Sequence, residues 1–326
     1  MKIAFILPYF GKFDNLFPLW LESCRYNSDI DWLIFTDDKN SYKFPHNVKV
    51  IYMSFTKIQQ HIQQLYNFPI ALNSPYRLCN FRPAYGEIFK NYLHEYDAWG
   101  FCDNDMIFGD LRAMIPNELN PKYKIGKFGH LSIVNNTEES RQAYRYADAF
   151  KIAFETEQPL FFDEGCFMQI LHKLGYKEYK LHIADFMPRL KQHIVLEEKG
   201  REWMNKAHCF VWDKGKLWRY YADNKRKIKK EEYAYIHFLK RPMEIATSID
   251  LNQPLVIIPN RIFNMPVEEI TVNFLLEVSK PGIFWPYWYN SFKPKNLIER
   301  IKNRLYQNKR NQRLIAKMEK MINSKI

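Results

Sequence analysis

Cysteine is scarce and scattered: Cys24, Cys79, Cys102, Cys166 and Cys209 are the five in 326 residues, and no two form a CxxC pair. An odd, dispersed set argues against a disulfide framework and a zinc cluster and fits reduced thiols in a cytosolic protein. No GxGxxG follows the first apolar run, and GxxxxGK(S/T) occurs nowhere. The backbone cradles of dinucleotide dehydrogenases and P-loop NTPases are therefore missing. Long apolar runs are missing too. The opening one, IAFILPYF at 3–10, is too short to span a bilayer and leads into charged and polar residues without a small-residue cleavage site. Neither a transmembrane segment nor a secretion signal is expected. Strong charge is absent from most of the chain as well. Of the net +12, residues 293–326 carry +9, eleven Lys and Arg against two Glu, which leaves about +3 for everything before them. Basicity is thus a property of the tail and does not by itself make the body a nucleic-acid binder.

What is present is a globular composition, 47% hydrophobic with 25 Phe and 21 Tyr. So many rings suit stacking surfaces for bases or sugars, and equally a bulky core. The pattern opens as an α/β half. Residues 2–7 read as a buried strand ending in the loop Pro8-Tyr9-Phe10-Gly11, and a helix is predicted from about Asp14, as N-cap, to Arg25. Strands follow at 31–36, ending in Asp37-Asp38, and at 48–53, then a helix at about 56–66. Loops at the C-terminal ends of such strands are where nucleotides bind. Residues 74–89 enter a helix that runs to about His94. Further strands are expected at 99–102 and 124–128, and helices at 137–153, capped by Thr137, and from Asp163-Glu164 to about Leu174. From 179 to 221 the texture becomes short β segments, with a hairpin signal at Asp213-Lys214-Gly215. Residues 254–292, with the aromatic run 284–289, are expected to wrap the domain, and 293–326 reads as a basic amphipathic helix.

Several residues carry chemistry in this pattern. Asp103 and Asp105 stand one residue apart at the end of the strand Trp99–Cys102, where a bend would turn both toward one hard cation. Arg77 and Arg82 flank a helix start, where guanidinium and free N–H groups favour an anion, although both would be ordinary on a surface. Asp163-Glu164 opens a helix; capping explains that placement, and Gly165 behind it would let a ligand approach. His237 lies in a strand, usually a core position, but Lys240 and Arg241 just beyond it favour a metal and phosphate role.

The segments YRLCNFRPAYGEIF (76–89), YDAWGFCDNDMIFGDL (96–111), GHLSIVNN (129–136), FFDEGCF (161–167) and IHFLKRP (236–242), in this order, resemble the GT-A glycosyltransferases. The resemblance is to bacterial enzymes found with capsule and lipopolysaccharide synthesis and, more distantly, to family 8 galactosyl- and glucosyltransferases. It implies an α/β GT-A fold, a Rossmann-like mixed sheet flanked by helices, over 1–292, with a donor half at about 1–130 and an acceptor half at about 131–292. It also implies a nucleotide-sugar donor, most simply a UDP-hexose, with Mn²⁺ or Mg²⁺ on its diphosphate held by Asp103 and Asp105. In the HFxGxxKPW-like segment of family 8 a histidine completes the metal shell and a lysine holds phosphate. His237 and Lys240 match those positions in HFLKRP, where the glycine is absent and the segment shorter. Donor contacts are then expected from Pro8, Tyr9, Phe10, Asp37, Arg77, Arg82, Asp103, Asn104 and Lys240, and acceptor contacts from His130 and Asn135.

Asp163 or Glu164 is the candidate catalytic group: a general base if configuration inverts, a contact to the donor sugar if it is retained. The expected partners are a nucleotide-sugar, a glycan or lipid-linked acceptor and, through 293–326, an anionic membrane surface on the cytoplasmic face, with no nucleic acid. Two other classes compete. A nucleotidyl- or phosphotransferase also uses paired aspartates but usually adds a Gly-rich phosphate loop. A non-enzymatic nucleic-acid binder would use the tail and the aromatics.

Overall fold

The computed structural model describes residues 1–126, 129–186, 193–196, 200–203, 207–239, 243–259, 261–279 and 297–325, at 193–203 and 297–308 as backbone only. Strand β1, Ile3–Pro8, is apolar throughout and buried from Ile3 to Leu7, the pattern of a central parallel strand. Helix α1, Phe17–Arg25, begins three residues later than the spacing predicts. Pro18 explains this: it fits only the first turn, where its missing N–H breaks no helical bond. Asp14 instead accepts the Leu16 N–H at 3.0 Å. Strands β2, Ile30–Thr36, and β3, Val48–Tyr52, follow, then α2, Phe55–Gln63, capped by Ser54.

Where one helix is expected up to His94, the chain forms a 3-10 helix, Pro75–Ala84, a single α turn, α3, Tyr85–Ile88, and another 3-10 turn, Lys90–Tyr92. Pro83, inside this run, cannot donate to an α-helical bond. Next come β4, Ala98–Cys102, β5, Met106–Phe108, α4, Leu111–Met114, β6, Tyr123–Ile125, and β7, Leu131–Asn135. The helix expected over 137–153 is split. Thr137 caps α5, Glu138–Gln142, in a reciprocal box with Ser140, but Ala147 and Asp148 take φ of 60° and 57° and separate it from α6, Ala149–Glu155. Helix α7 is Cys166–Lys173.

The remaining strands are β8, Lys177–Tyr179, β9, Ile183–Phe186, β10, His193–Leu196, β11, Gly200–Trp203, β12, His208–Asp213, β13, Lys216–Ala222, β14, Ile228–Tyr233, β15, Tyr235–His237, β16, Glu244–Ile245, β17, Leu255–Ile258, and β18, Arg261–Asn264. The expected hairpin joins β12 to β13 through Lys214 and Gly215, with φ of 46° and 80°; two positive values in a two-residue loop match a type I′ turn. Helices α8, Val272–Val278, and α9, Leu297–Ser324, complete the set.

These strands form three sheets, of orders β3-β2-β1-β4-β7-β6-β8, β11-β10-β9-β15-β5 and β14-β13-β12-β17-β18-β16. In the first, β3, β2, β1 and β4 are parallel and β7 reverses. The fold is thus the expected α/β class, a mixed sheet flanked by helices. Chain direction then matters for the site. After β4 the chain leaves the first sheet and, as β5, pairs antiparallel with β15, with Met106 opposite His237. β15 runs parallel to β9 with His237 opposite Asp185. Two registers therefore bring the end of β4, His237 and Asp185 to one place.

Helix α9 packs on α6 and α7. Met318 and Ile322 are fully buried in the core between them, Leu314 and Ile315 partly so. Gln169 donates to Glu319 at 2.9 Å, and the Tyr146 hydroxyl to the Lys325 carbonyl at 3.1 Å. Lys309, Arg310, Arg313, Lys317 and Lys320 face solvent. The boundary expected at 292/293 and the aromatic run 284–289 lie outside the described residues. Among the described residues no helix is long and apolar enough to cross a membrane.

Candidate functional site

The Asp103-Asn104-Asp105 turn is pinned through its backbone. The Asp103 N–H donates to the His130 carbonyl at 2.9 Å, its carbonyl accepts from the Trp20 indole at 3.1 Å, and the Asp105 carbonyl accepts from the Phe238 N–H at 2.9 Å. Three separate stretches thus fix the bend that turns both carboxylates inward. His237 faces them, its Nε2 3.5 Å from Asp103 and 3.4 Å from Asp105, and its Nδ1 donates to Asp185 at 2.8 Å. The ligand atoms of Asp103, Asp105 and His237 lie within 4.8 Å of one another, as do those of His130, Asp185 and His237.

Charge organises this cluster. Burial disfavours a protonated imidazole, but the carboxylates of Asp105, Asp103 and Asp185 outweigh it and hold His237 well above the usual histidine range. His130 stacks on His237 with ring centroids 4.4 Å apart and meets the Tyr235 hydroxyl at 3.1 Å. Burial, and then the His237 charge, push it well below the histidine range, so it is neutral.

Arg82 bridges this centre to the second carboxylate pair. It binds Asp103, donates to Asp163 at 3.1 Å and to the Gly129 carbonyl at 2.9 Å. Burial alone would raise the Asp103 carboxyl; Arg82 and His237 reverse this and hold it below the carboxylate range. Asp163 is buried, and burial pushes its carboxyl up against the pull of Arg82. Glu164, beside it, opens to solvent, yet the atoms packed around its carboxyl and the Asp163 charge raise it to about 6. Gly129 makes room for the pair, since a Cβ there would fall 2.7 Å from both the Asp163 Oδ2 and the Glu164 Cγ.

A cleft of about 550 Å³ lies against the aspartate turn. Pro8, Tyr9, Phe10, Arg82, Asp103, Asn104 and Asp105 line it, all expected from the sequence. Other expected residues do not join them. Arg77 is buried and donates to the carbonyls of Ala71 and Thr156, tying its 3-10 helix to the end of α6. Asp37 accepts the Gly11 N–H at 2.7 Å and anchors the loop behind Tyr9. Asn135, at the far end of β7 from His130, donates to the Leu119 carbonyl at 2.9 Å. Lys240 lies outside the described residues. Sequence reasoning missed Asp185, Tyr235 and the cleft residues Asp14, Asn15, Tyr76 and Cys79. Asp185 left one signal, an acid inside the apolar strand Ile183–Phe186.

A search of the curated proteins finds no match. Two solved structures show partial likeness. The apo-form glycosyltransferase GlyE of Streptococcus pneumoniae TIGR4 has 14% identity, 55% of this chain and 45% of that chain covered, and a TM-score of 0.34. The galactosyltransferase LgtC, in complex with donor and acceptor sugar analogues, has 13% identity, 58% and 76% covered, and a TM-score of 0.35. This chain thus spans less than half the length of GlyE. A model of a family of unknown function, DUF6625, matches residues 5–266, from β1 past β18. That span takes in every residue of the aspartate–histidine centre and both carboxylates beside it, and the protein belongs to the family DUF6625.

Proposed function

We propose that the protein is a divalent-metal-dependent glycosyltransferase of the GT-A type, moving a hexose from a nucleotide-sugar, a UDP-hexose first of all, to a glycan or lipid-linked acceptor. The setting its motifs imply is bacterial surface-polysaccharide synthesis. One observation carries the reading: Asp103, Asp105 and His237 converge beside a cleft, with Asp185 behind the histidine. The donor set fits the metal. Two carboxylates and one imidazole suit Mn²⁺ or Mg²⁺, and a carboxylate on Nδ1 fixes the tautomer that presents Nε2. Asp103, Asp105 and His237 would hold the ion. When bound, it supplies Lewis-acid stabilisation of the departing nucleoside diphosphate.

The chain's own residues do the rest. Arg82 orients Asp103 and keeps it ionised. Pro8, Tyr9 and Phe10 offer apolar and aromatic surface to the base, and Asn104 offers an amide to the ribose or sugar. Asp163 is committed to Arg82, so the base is Glu164, whose carboxyl near 6 is ionised at neutral pH and close enough to it to accept a proton effectively. The acceptor oxygen bonds to the anomeric carbon, the bond from that carbon to the diphosphate oxygen breaks, and the hydroxyl proton passes to Glu164. Inversion at the anomeric carbon follows, and a retained product anomer by NMR would remove Glu164 from this role.

The exposed Lys and Arg of α9 suit an anionic leaflet at the cytoplasmic face. Met318 and Ile322 are turned into the protein, so attachment would act through charge and not through insertion of that stripe. The test of the main reading is a donor screen with Mn²⁺ over UDP-, GDP- and CMP-sugars. Nucleotide release from one class, abolished by EDTA, is expected. No release and no donor binding across the panel would overturn it.

A further inference from the structure

A second cleft, of about 530 Å³, reaches the Asp163-Glu164 pair through Glu164. Its wall includes Phe161, Glu164, Met168, His172, Glu178 and, from α9, Ile315. Its volume falls in the range of small-ligand pockets. Three features separate it from an ordinary surface groove. Phe161 is 47% exposed, although it is a large apolar residue on the loop that leads into the carboxylates. It also holds φ of 50°, a conformation that strains a residue with a bulky side chain. Its carbonyl accepts the N–H groups of Glu164 and Gly165 at 3.1 and 3.5 Å, so the turn that presents Glu164 is the same turn that presents the ring. Third, Glu164 lines this cleft, whereas its neighbour Asp163 is paired with Arg82, which lines the first.

A transfer reaction needs two binding sites that meet at the group taking the proton; here Glu164 lines one cleft, and its neighbour Asp163 holds Arg82, which lines the other. We infer that the second cleft is the acceptor subsite and that it takes a pyranose ring. The CH face of the ring lies on Phe161, with Met168 and Ile315 closing the apolar side. Its hydroxyls meet the polar groups of the wall, Glu164, Glu178 and His172. This assignment rests on the glycosyltransferase reading, and it gives α9 a second part: one wall of the acceptor site.

The test uses the full-length protein and a panel of methyl and p-nitrophenyl hexopyranosides, with binding followed by saturation-transfer NMR. The wild type is expected to bind at least one glycoside. Phe161→Ala should weaken that binding roughly tenfold, the loss of one buried aromatic contact, and Ile315→Trp, which fills the cleft, should abolish it. If no glycoside binds, or if both variants bind as the wild type does, the subsite is overturned. Phe161 is about half exposed and belongs to no buried core cluster, so its substitution does not threaten the fold; if Ile315→Trp unfolds the protein, Phe161→Ala decides alone. Nucleotide release measured without any acceptor tests the donor reading separately, so the two failures are told apart.

Discussion

The cleft at the aspartate turn and the cleft at Glu164 are nearly equal in size, about 550 and 530 Å³, but they are built in different ways. The first is assembled around charge: the two aspartates of the turn with Asp14 near them, an arginine and, behind them, a histidine held protonated by Asp103, Asp105 and Asp185. The second is mainly an aromatic and aliphatic surface with isolated polar groups at its edge. The first draws on the end of β1, the turn between β4 and β5 and the 3-10 helix Pro75–Ala84, and a short motif announces it. The second is closed by a residue from α9, about 150 positions further along the chain than the loop it faces, as the Gln169–Glu319 contact beside it shows. A charged centre can be read from local sequence because its ligands must sit at fixed offsets. An apolar wall cannot, because any large side chain at the right place in space serves.

The largest expected effect falls on the charged side. Asp105→Ala should reduce Mn²⁺-dependent nucleotide release by about a thousandfold, the scale expected when electrostatic stabilisation of a leaving group is lost. Undiminished release would leave the aspartate turn without a catalytic purpose. Glu164→Gln comes next, with a loss of roughly a hundredfold or more in transfer. Its pH profile sharpens the comparison further. A carboxyl raised to about 6 is protonated below that pH, so wild-type kcat/KM should fall as pH drops through 6, and the Gln variant should lose that limb. A profile with the same limb in both would move the base elsewhere.

Asp185→Asn should weaken Mn²⁺ binding by roughly ten- to a hundredfold, measured by titration calorimetry, because the histidine would lose the carboxylate that orients it. Equal affinity in the two proteins would make the 2.8 Å contact a packing detail. The smallest effect is expected at α9, where Arg313→Gln should weaken binding to phosphatidylserine vesicles by about 1 kcal/mol. No difference between the two proteins in vesicle sedimentation would confine α9 to its packing role.

Much of the fold was legible in the sequence because burial on both faces leaves continuous apolar strands, and β1, β2 and β4 fall within one residue of their expected bounds. Each misplaced helix has its own local break. Pro18 delays α1, Pro83 tightens 75–84 into a 3-10 helix, and the positive φ at Ala147 and Asp148 splits α5 from α6 without any glycine to mark the break. Within the site, strand register brings the aspartate turn, His237 and Asp185 together, and Arg82 reaches Asp103 from the 3-10 helix Pro75–Ala84. Arg77 looked equivalent to Arg82, five residues away. The 3-10 turn sends one guanidinium toward Asp103 and the other toward backbone carbonyls, and α-helical spacing does not anticipate that split.

The docking of Met318 and Ile322 also bears on how the protein is made. Synthesis runs from the N-terminus, and chain segments that can pack begin to do so as they emerge. Every strand of the three sheets, and with them the aspartate turn and His237, is translated before Ile315 exists. A chain interrupted before α9 would keep Asp103, Asp105 and His237 while missing one wall of the second cleft. If the proposed reading holds, such a fragment would be poised to bind a donor with less to hold the acceptor, and its characteristic defect would be wasteful hydrolysis in place of transfer.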